Sequence, residues 1–270
     1  MNFDLSSSFI VATASGKGGV GKTMATVNLA ESLTKQGYDV AIIDADLGLS
    51  NCAALLNEQV PASALDVLQE RSYVSDLFRN TSSGITMVTG ADEPDPHIED
   101  WALLYPVLDE IIRKLRINHD FILIDTPAGA SDLSLWALDR SDLCTLILAD
   151  EPTVISDVYR FCKFVMEIDP AYPFATIVNF AEDEADARNT ATRFNSVLEH
   201  FMGRELPFLG YIHTGDRIRD SISQQTPAVR LYPDSQVSQE FAYIAQTLSG
   251  IAQSGSTNFE QQNPSMKLTK

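Results

Sequence analysis

The stretch Ser15-Gly16-Lys17-Gly18-Gly19-Val20-Gly21-Lys22-Thr23 lies between an apolar run, Phe9 to Ala14, and a segment with helical apolar spacing that begins at Met24. A strand, a glycine-rich turn and a helix in this order form the context of a phosphate-binding loop. Glycines let the backbone approach a polyphosphate, its N–H groups point inward, and the helix N-terminus favours negative charge. The stretch therefore predicts a nucleoside triphosphate site, in which Lys22 reaches the β- and γ-phosphates and the Thr23 hydroxyl holds Mg²⁺.

The same stretch also satisfies Gly-x-Gly-x-x-Gly, through Gly16, Gly18 and Gly21, so a dinucleotide site is an alternative. The acidic residue that such a site has about 20 positions later is present as Asp44. A dinucleotide-binding turn needs neither a lysine nor a magnesium-binding hydroxyl at its end, whereas this stretch ends in Lys22-Thr23. A glycine-rich turn without a ligand is the third interpretation, and the complete motif between a strand and a helix argues against it.

The composition predicts one large α/β domain or at most two small ones, because 270 residues with 44% hydrophobic content can bury a full core. Acidic residues outnumber basic residues 37 to 19, so the net charge of −18 repels DNA and anionic lipid, and we expect neither DNA binding nor strong membrane binding. The three cysteines form no Cys-x-x-Cys pair, which indicates a reducing compartment. Without a signal peptide or a membrane-spanning run, the sequence predicts a cytoplasmic protein.

Apolar strand candidates alternate with helical patterns along the chain. Strands are predicted over 9–14, 39–43, 84–88, 121–124, 143–148, 174–178 and 208–212, and helices from 24 and over 62–69, 101–115, 154–168, 183–201, 217–224 and 236–251. This alternation predicts a doubly wound, mostly parallel sheet flanked by helices, the α/β architecture of P-loop NTPases. We expect one ATPase domain over 1–252, with a polar loop at 91–96 and a disordered tail, rich in Gln, Ser, Asn and Thr, over 253–270.

Acidic and amide side chains follow three of the predicted strands, as Asp44 and Asp46, Asp125, and Asn179. Ligands of parallel sheets bind at the carboxyl ends of the strands, so these residues are expected to meet beside the glycine-rich loop. Asp125 has the place and charge of a Walker-B carboxylate that orients Mg²⁺, its alternative role being to cap the next turn. Of the Asp-x-Asp pair, one carboxylate would assist the metal while the other positions and deprotonates the attacking water.

Lys17 is a second lysine in the loop, and its charge is surplus unless it also meets phosphate. With it the loop contains Lys17-Gly-Gly-Val-Gly-Lys-Thr23, and the sequence resembles the deviant Walker-A P-loop ATPases of the MinD/ParA class. The resemblance covers about residues 9–250 and includes 44–51 as switch I and 125–130 as switch II. It implies that ATP, ADP and Mg²⁺ bind, that hydrolysis is slow, and that ATP binding produces a nucleotide-sandwich homodimer.

The resemblance also assigns roles to individual residues. Lys17 would act in trans on the phosphates of the partner protomer, Asp46 would activate the water, and Asp44 would lie on the magnesium side. Asn179 matches the asparagine that contacts adenine. The site residues expected are, for catalysis, Lys17, Lys22 and Asp46; for nucleotide binding, Gly16, Lys17, Gly18, Gly19, Val20, Gly21, Lys22, Thr23, Met24 and Asn179; and for the metal, Thr23, Asp44 and Asp125.

Within the class, the stretches 44–51, 150–159, 210–212 and 231–235 look most like the flagellar-number regulators FlhG, also called FleN. This implies control of flagellar number or placement through a flagellar transcription activator or a signal-recognition-type GTPase, with recruitment to a cell pole or membrane by a partner. MinD shares many of these stretches, so a spatial organiser of septum, chromosome or protein cargo is the alternative. An ATP-dependent ligase on the same fold is a third hypothesis, for which the sequence offers no second substrate pocket.

The sequence departs from the family pattern in several places. Residues 1–8 are too short to supply the N-terminal extension that stimulates a GTPase partner, and the tail does not resemble a membrane-targeting helix. His213 and Gly215 stand where the family commonly has Pro and Asp after the last strand. Nitrogenase-iron-protein relatives need bridging cysteines near switch II, and none lies close after Asp125, so an iron–sulfur role is not expected.

Overall fold

The computed structural model describes residues 8–46, 51–91 and 101–254. Its strands are Phe9–Ala14 (β1), Val40–Asp44 (β2), Arg79–Asn80 (β3), Thr86–Thr89 (β4), Phe121–Asp125 (β5), Leu143–Leu148 (β6), Phe174–Ala181 (β7) and Phe208–His213 (β8). They form one eight-stranded sheet in the order β3-β4-β2-β5-β1-β6-β7-β8. All neighbours in this sheet are parallel except β3, which pairs with β4 in the antiparallel sense.

The helices connect the strands and cover the sheet. They are Lys22–Lys35 (α1), Asn51–Leu56 (α2), Ala64–Leu68 (α3), Tyr105–Leu115 (α4), Asp132–Arg140 (α5), Pro152–Ile168 (α6), Glu184–Met202 (α7), Asp216–Ser223 (α8), Ala228–Leu231 (α9) and Gln236–Ser254 (α10), with 3₁₀ turns at Val74–Asp76 and Trp101–Leu104. Every residue of β2, β4, β5 and β6 is buried, so both faces of the sheet are covered. The predicted doubly wound, mostly parallel sheet is confirmed.

The strand register places polar side chains in one line across the sheet. Thr89 of β4 is the partner of Asp44 in β2, Asp44 of Asp125 in β5, Asp125 of Thr13 in β1, and Thr13 of Thr145 in β6. Paired residues of parallel neighbours point to the same face of a sheet, so these five residues, which we call the polar row, share one face. Apart from Thr145, which lies in the middle of β6, the polar row lies near the carboxyl ends of the strands, where the predicted site residues are found.

Four elements have no counterpart in the sequence prediction, namely α2, β3, α5 and α9. Helix α5 is only nine residues long, and it is specified by its ends and its packing more than by periodicity. The Oγ of Ser131 accepts a hydrogen bond from the N–H of Ser134 and caps the helix, and Trp136 is buried on its inner side. A helix this short gives a weak apolar pattern, because few turns repeat.

Other boundaries differ by a few residues. The predicted strand over 84–88 begins at Thr86, because Gly84 has a positive φ and belongs to the turn that joins β3 to β4. Helix α10 continues through Ser254, so the first two residues of the predicted tail are helical. The remainder of that tail and nearly all of the predicted 91–96 loop lie outside the described residues. Within the described part of the chain, no helix combines the length and the hydropathy needed to cross a membrane.

Candidate functional site: a phosphate-binding loop beside two buried aspartates

The glycine-rich loop runs from the end of β1 to the first residue of α1, as its sequence predicts. Gly19 and Gly21 have φ angles of 80° and 93°, in the left-handed region that residues with a side chain rarely adopt. Gly21 is also the N-cap of α1, so the unpaired N–H groups of the first helical turn face the loop. The Oγ of Ser15 donates a hydrogen bond of 2.7 Å to the carbonyl of Lys17 within the same loop. This arrangement favours an anionic ligand.

Two loop glycines are also required by lack of space. A Cβ on Gly16 would lie 2.2 Å from the backbone carbonyl carbon of Asp157, in α6. A Cβ on Gly21 would lie 2.2 Å from the Nδ2 of Asn179, in β7. The loop therefore packs directly against α6 on one side and against β7 on the other.

Asn179 is a structural partner of the loop in addition to its predicted role. Its Nδ2 donates a hydrogen bond of 2.8 Å to the carbonyl of Val20, and its side chain is buried. Its Oδ1 has no hydrogen-bond partner among the described residues. The contact of Asn179 with adenine stays a prediction. Its Oδ1 is the atom that could accept a hydrogen bond from the base.

The two lysines of the loop have different surroundings. Lys22 is 8% exposed, and its charge lowers the pKa values of both Asp125 and Asp46 against the opposing effect of burial. The Nζ of Lys17 instead lies 3.6 Å from the Oε2 of Glu151, and about half of each side chain is exposed. An exposed ion pair of this kind contributes about 0–1 kcal/mol, so little free energy holds Lys17 in place.

Asp125 ends β5 beneath the first turn of α1. The hydroxyl of Thr23 donates a hydrogen bond of 2.6 Å to its Oδ2, and the hydroxyl of Thr26 donates one of 3.3 Å to its Oδ1. The two threonines are three residues apart, so they lie on the same face of the helix. The predicted juxtaposition of Thr23 and Asp125 is therefore present.

Asp44 lies beside Asp125 at the end of β2. The backbone N–H groups of Cys52 and Asp46 donate hydrogen bonds of 3.0 and 3.2 Å to its two carboxylate oxygens. Both aspartates are fully buried, and among the described residues no lysine or arginine forms an ion pair with either of them.

Burial changes the acidity of both carboxyls. Burial and the neighbouring Asp125 raise the pKa of Asp44 to about 8. Burial raises the pKa of Asp125 to about 6, although the hydrogen bond from Thr23 and the charge of Lys22 lower it. Two adjacent buried carboxylates without a paired cation are costly, and together with the Thr23 hydroxyl they form a set of hard oxygen donors. This donor set fits Mg²⁺.

Asp46 follows at the edge of the site and is only half-buried. Burial raises the pKa of its carboxyl, and the charge of Lys22 opposes that rise. The rest of the predicted switch I continues through residues 47–50, which lie outside the described residues, and resumes at Asn51 in α2.

The predicted switch II begins against the loop. The N–H and the hydroxyl of Thr126 both donate hydrogen bonds to the carbonyl of Thr13, at 3.2 and 2.8 Å. The N–H of Gly129 donates one of 2.8 Å to the carbonyl of Ser15. Three hydrogen bonds therefore connect switch II to the strand and loop that precede α1.

Three residues near the site were missed by sequence reasoning, namely Thr26, Glu151 and Cys52. The position of Thr26 follows from helical spacing after Thr23, which is a signal present in the sequence. The contacts of Glu151 and Cys52 depend on how separate segments meet, and no local pattern marks them. The Sγ of Cys52 lies 3.8 Å from the Oδ2 of Asp125.

The two positions that depart from the family pattern lie where β8 leads into α8. The N–H and the Nδ1 of His213 both contact the Oε2 of Glu240, at 3.0 and 2.8 Å, which ties the end of β8 to α10. Gly215 is the N-cap residue of α8 in an extended conformation.

Known proteins resemble this chain over most of its length. A family model for ParA, described as NUBPL iron-transfer P-loop NTPase, matches residues 7–249. Antiactivator FleN from Pseudomonas aeruginosa is 28% identical over 237 residues, which cover 88% of this chain and 85% of that protein. Flagellum site-determining protein YlxH from Helicobacter pylori is 26% identical over 248 residues, covering 91% and 83%.

Solved structures share the fold. The septum site-determining protein MinD from Pyrococcus horikoshii, solved in complex with Mg-ADP, aligns with a TM-score of 0.73 at 28% identity. The alignment covers 91% of this chain and 98% of the other. These matches confirm the resemblance predicted from the loop and the switch sequences.

Replacing Gly16 by alanine should destabilise the ligand-free protein, because the added methyl group has no space beside the backbone of α6. We expect a loss of about 1–3 kcal/mol in the free energy of unfolding, measured by urea denaturation. Gly18→Ala is the matched control, since a Cβ at that position would have no neighbour within 4 Å and the variant should unfold like the wild type. Equal stabilities of the two variants would contradict the close packing.

Replacing Asp44 by asparagine should remove a pH dependence from the stability of the protein without nucleotide or metal. The folded pKa is about 8 against an ordinary value of 3.8, so the stabilising contribution is complete below pH 4 and is lost as the pH rises through 8. We expect Asp44→Asn to exceed the wild type by on the order of 5 kcal/mol near pH 9 and to match it near pH 4, in urea unfolding with EDTA.

The control for this experiment is Asp66→Asn. Despite the raising effect of partial burial, hydrogen bonds from Ser63 and the charge of Arg71 lower the pKa of Asp66. Its contribution is therefore present above the ordinary pKa and is lost at lower pH, which is the opposite sign. A stability difference between wild type and Asp44→Asn that does not change with pH would contradict the buried-pair interpretation.

Proposed function

We propose that this chain, which belongs to the ParA family of P-loop NTPases, is an ATP-switched dimeric regulator that controls flagellar number or placement through protein partners. The observation that carries the proposal is the contrast between its two loop lysines. Lys22 is buried beside the site carboxylates, whereas Lys17 is about half exposed and forms only a weak ion pair with Glu151. One lysine is thus suited to hold a nucleotide within the protomer, and the other is suited to leave its position and contact a second protomer.

The nucleotide would bind along the loop. The backbone of residues 16–24 would surround the phosphates, with Lys22 against the β- and γ-phosphates. The unpaired Oδ1 of Asn179 would accept a hydrogen bond from the adenine amino group, while its Nδ2 continues to hold Val20. Nucleotide binding would therefore connect the adenine base to the loop through the side chain of Asn179.

Thr23, Asp44 and Asp125 would hold Mg²⁺, directly or through water. When bound, the ion supplies positive charge that neutralises both the buried carboxylates and the phosphate oxygens. The short hydrogen bond between Thr23 and Asp125 already orients these two groups for that role.

Hydrolysis would use Asp46 as the residue that orients the water and accepts its proton. The water oxygen would bond to the γ-phosphorus as the bond to the β-phosphate oxygen breaks, which releases ADP and phosphate. Burial raises the pKa of Asp46, so its carboxylate is a better proton acceptor than an exposed one. Lys22 would stabilise the negative charge on the phosphates during this step.

The switch would connect the loop to the protein surface. In the ATP-bound dimer, Lys17 would leave Glu151 and contact the phosphates of the partner protomer. Switch II is hydrogen-bonded to Thr13 and Ser15. A rearrangement of the loop would therefore also shift Thr126 and Gly129. Hydrolysis would reverse both changes and release the partner protein.

The names of the relatives support a flagellar role for the switch. FleN is described as an antiactivator and YlxH as a flagellum site-determining protein. The MinD relative supports the second candidate, a spatial organiser. The net charge of −18 favours protein partners over DNA or anionic lipid. We do not propose iron transfer, since the three cysteines of the chain form no Cys-x-x-Cys pair.

Replacing Asp46 by alanine should slow hydrolysis by about 10²–10⁴-fold and make the dimer accumulate in ATP and Mg²⁺, because the bound nucleotide persists. Light scattering would measure the dimer, and phosphate release would measure turnover. The double variant Lys17→Ala/Asp46→Ala should bind ATP and remain monomeric, which isolates the contact made by Lys17. A double variant that dimerises like Asp46→Ala would argue against the role of Lys17 in trans.

Co-sedimentation with anionic liposomes or with DNA should distinguish the two candidate roles. For a regulator that acts through proteins, we expect the Asp46→Ala variant in ATP to remain in the supernatant with both. ATP-dependent pelleting with either matrix would instead favour the spatial organiser. Product analysis that finds ADP and phosphate without a modified acceptor would exclude a ligase.

A further inference from the structure

Cys52 lies against the buried aspartate pair, and the proposed hydrolysis does not use it. Asp44, Cys52 and Asp125 all have 0% exposure, and one ligand atom from each lies within 4.8 Å of the others. The Sγ of Cys52 is 3.8 Å from the Oδ2 of Asp125, and its backbone N–H is held by Asp44 at 3.0 Å. The thiol is therefore fixed beside both carboxylates by the first turn of α2.

These distances fit a tetrahedral ion with sulfur and oxygen ligands. Zinc–sulfur bonds are about 2.3 Å and zinc–oxygen bonds about 2.0–2.2 Å, which places neighbouring ligand atoms roughly 3.5 Å apart. The Sγ–Oδ2 distance of 3.8 Å is close to this value, and the outer limit of 4.8 Å needs side-chain movements of roughly 1 Å.

A second observation, on the face of the sheet that carries Asp44 and Asp125, supports a ligand beside these two residues. Thr89 is the neighbour of Asp44 in the polar row, and its side chain is 1% exposed. Its hydroxyl has no hydrogen-bond partner among the described residues. A buried hydroxyl without a partner costs free energy, and a water molecule bound to an ion at the aspartate pair would supply that partner.

We propose that Asp44, Cys52 and Asp125 form a binding site for a thiophilic divalent cation of the Zn²⁺ class. The metal–sulfur bond forms as the S–H bond breaks, and the proton leaves to solvent. A thiolate ligand favours Zn²⁺, Co²⁺ or Cd²⁺ over Mg²⁺, which prefers oxygen donors. The proposal rests on the proposed function in one respect, namely that the two aspartates also serve Mg²⁺, so the two ions compete for one place.

The competition has a consequence for activity. Three protein ligands would leave the fourth position of the ion open, as in catalytic zinc sites. An ion bound there would occupy both magnesium-side carboxylates, so Zn²⁺ should inhibit ATP hydrolysis and excess Mg²⁺ should relieve the inhibition. Without the thiol at position 52, the remaining carboxylates should discriminate far less between the two ions.

Titration of the full chain with Co²⁺, without nucleotide, tests the site by a readout that is independent of activity. We expect one Co²⁺ per chain and a near-ultraviolet thiolate-to-cobalt charge-transfer band, which stoichiometric Zn²⁺ abolishes by displacement. Cys52→Ser should lose the band and should raise the Zn²⁺ concentration for half-inhibition of hydrolysis at least 10-fold. Cys162→Ser is the matched control, a second buried thiol away from the aspartates, and should keep the band.

The outcomes separate this inference from the proposed function. No band in the wild type, or an equal band in Cys52→Ser, would overturn the metal site, with thermal unfolding used to check that each variant is folded. Lys22→Ala should lose ATP binding and keep the Co²⁺ band. A protein that binds Mg–ATP and gives no band contradicts only the thiophilic site, whereas a band without ATP binding contradicts only the proposed function.

Discussion

The buried pair of Asp44 and Asp125 is the constraint on which the rest of the site depends. Two buried carboxylates at the ends of neighbouring strands destabilise the ligand-free fold unless they are hydrogen-bonded or neutralised. The groups that meet this need come from the segments that surround the nucleotide site: Thr23 and Thr26 from α1, and the N–H groups of Asp46 and Cys52 from switch I and α2. The pair of carboxylates, whose oxygens fit a cation, therefore also fixes the first turn of α1 and the backbone at Asp46 and Cys52.

The parallel topology explains how these segments reach one place. Central strands that run in the same direction and in register bring their carboxyl ends together, so residues far apart in the chain become neighbours. The close approach of the loop to Asp157 and Asn179 then connects it to α6 and β7. The candidate site, from Asp44 in β2 to Asn179 in β7, is consequently in contact with both halves of the sheet.

Much of this arrangement could be predicted from the sequence, because continuous apolar runs mark buried parallel strands and acidic residues at their ends mark a ligand site. The loop, its two lysines and the position of Asp125 follow from local patterns. The short helix α5 could not be predicted, since its nine residues make too few turns for the apolar pattern to repeat clearly. The contact of Cys52 with Asp125 depends on the course of the chain after Asp46, and the hydrogen bond from Asn179 to Val20 joins residues 159 positions apart.

The absence of space beside Gly16 has a mechanical consequence. Helix α6 has 17 residues and is therefore roughly 25 Å long, and the loop touches it near its first third, at Asp157. At this contact the two backbones leave no room between them, so the position of the loop and that of α6 are coupled. The far end of the helix carries the exposed apolar side chains Phe164 and Ile168. The lack of a side chain at Gly16 therefore places the phosphate-binding loop in direct contact with a helix that also reaches the protein surface.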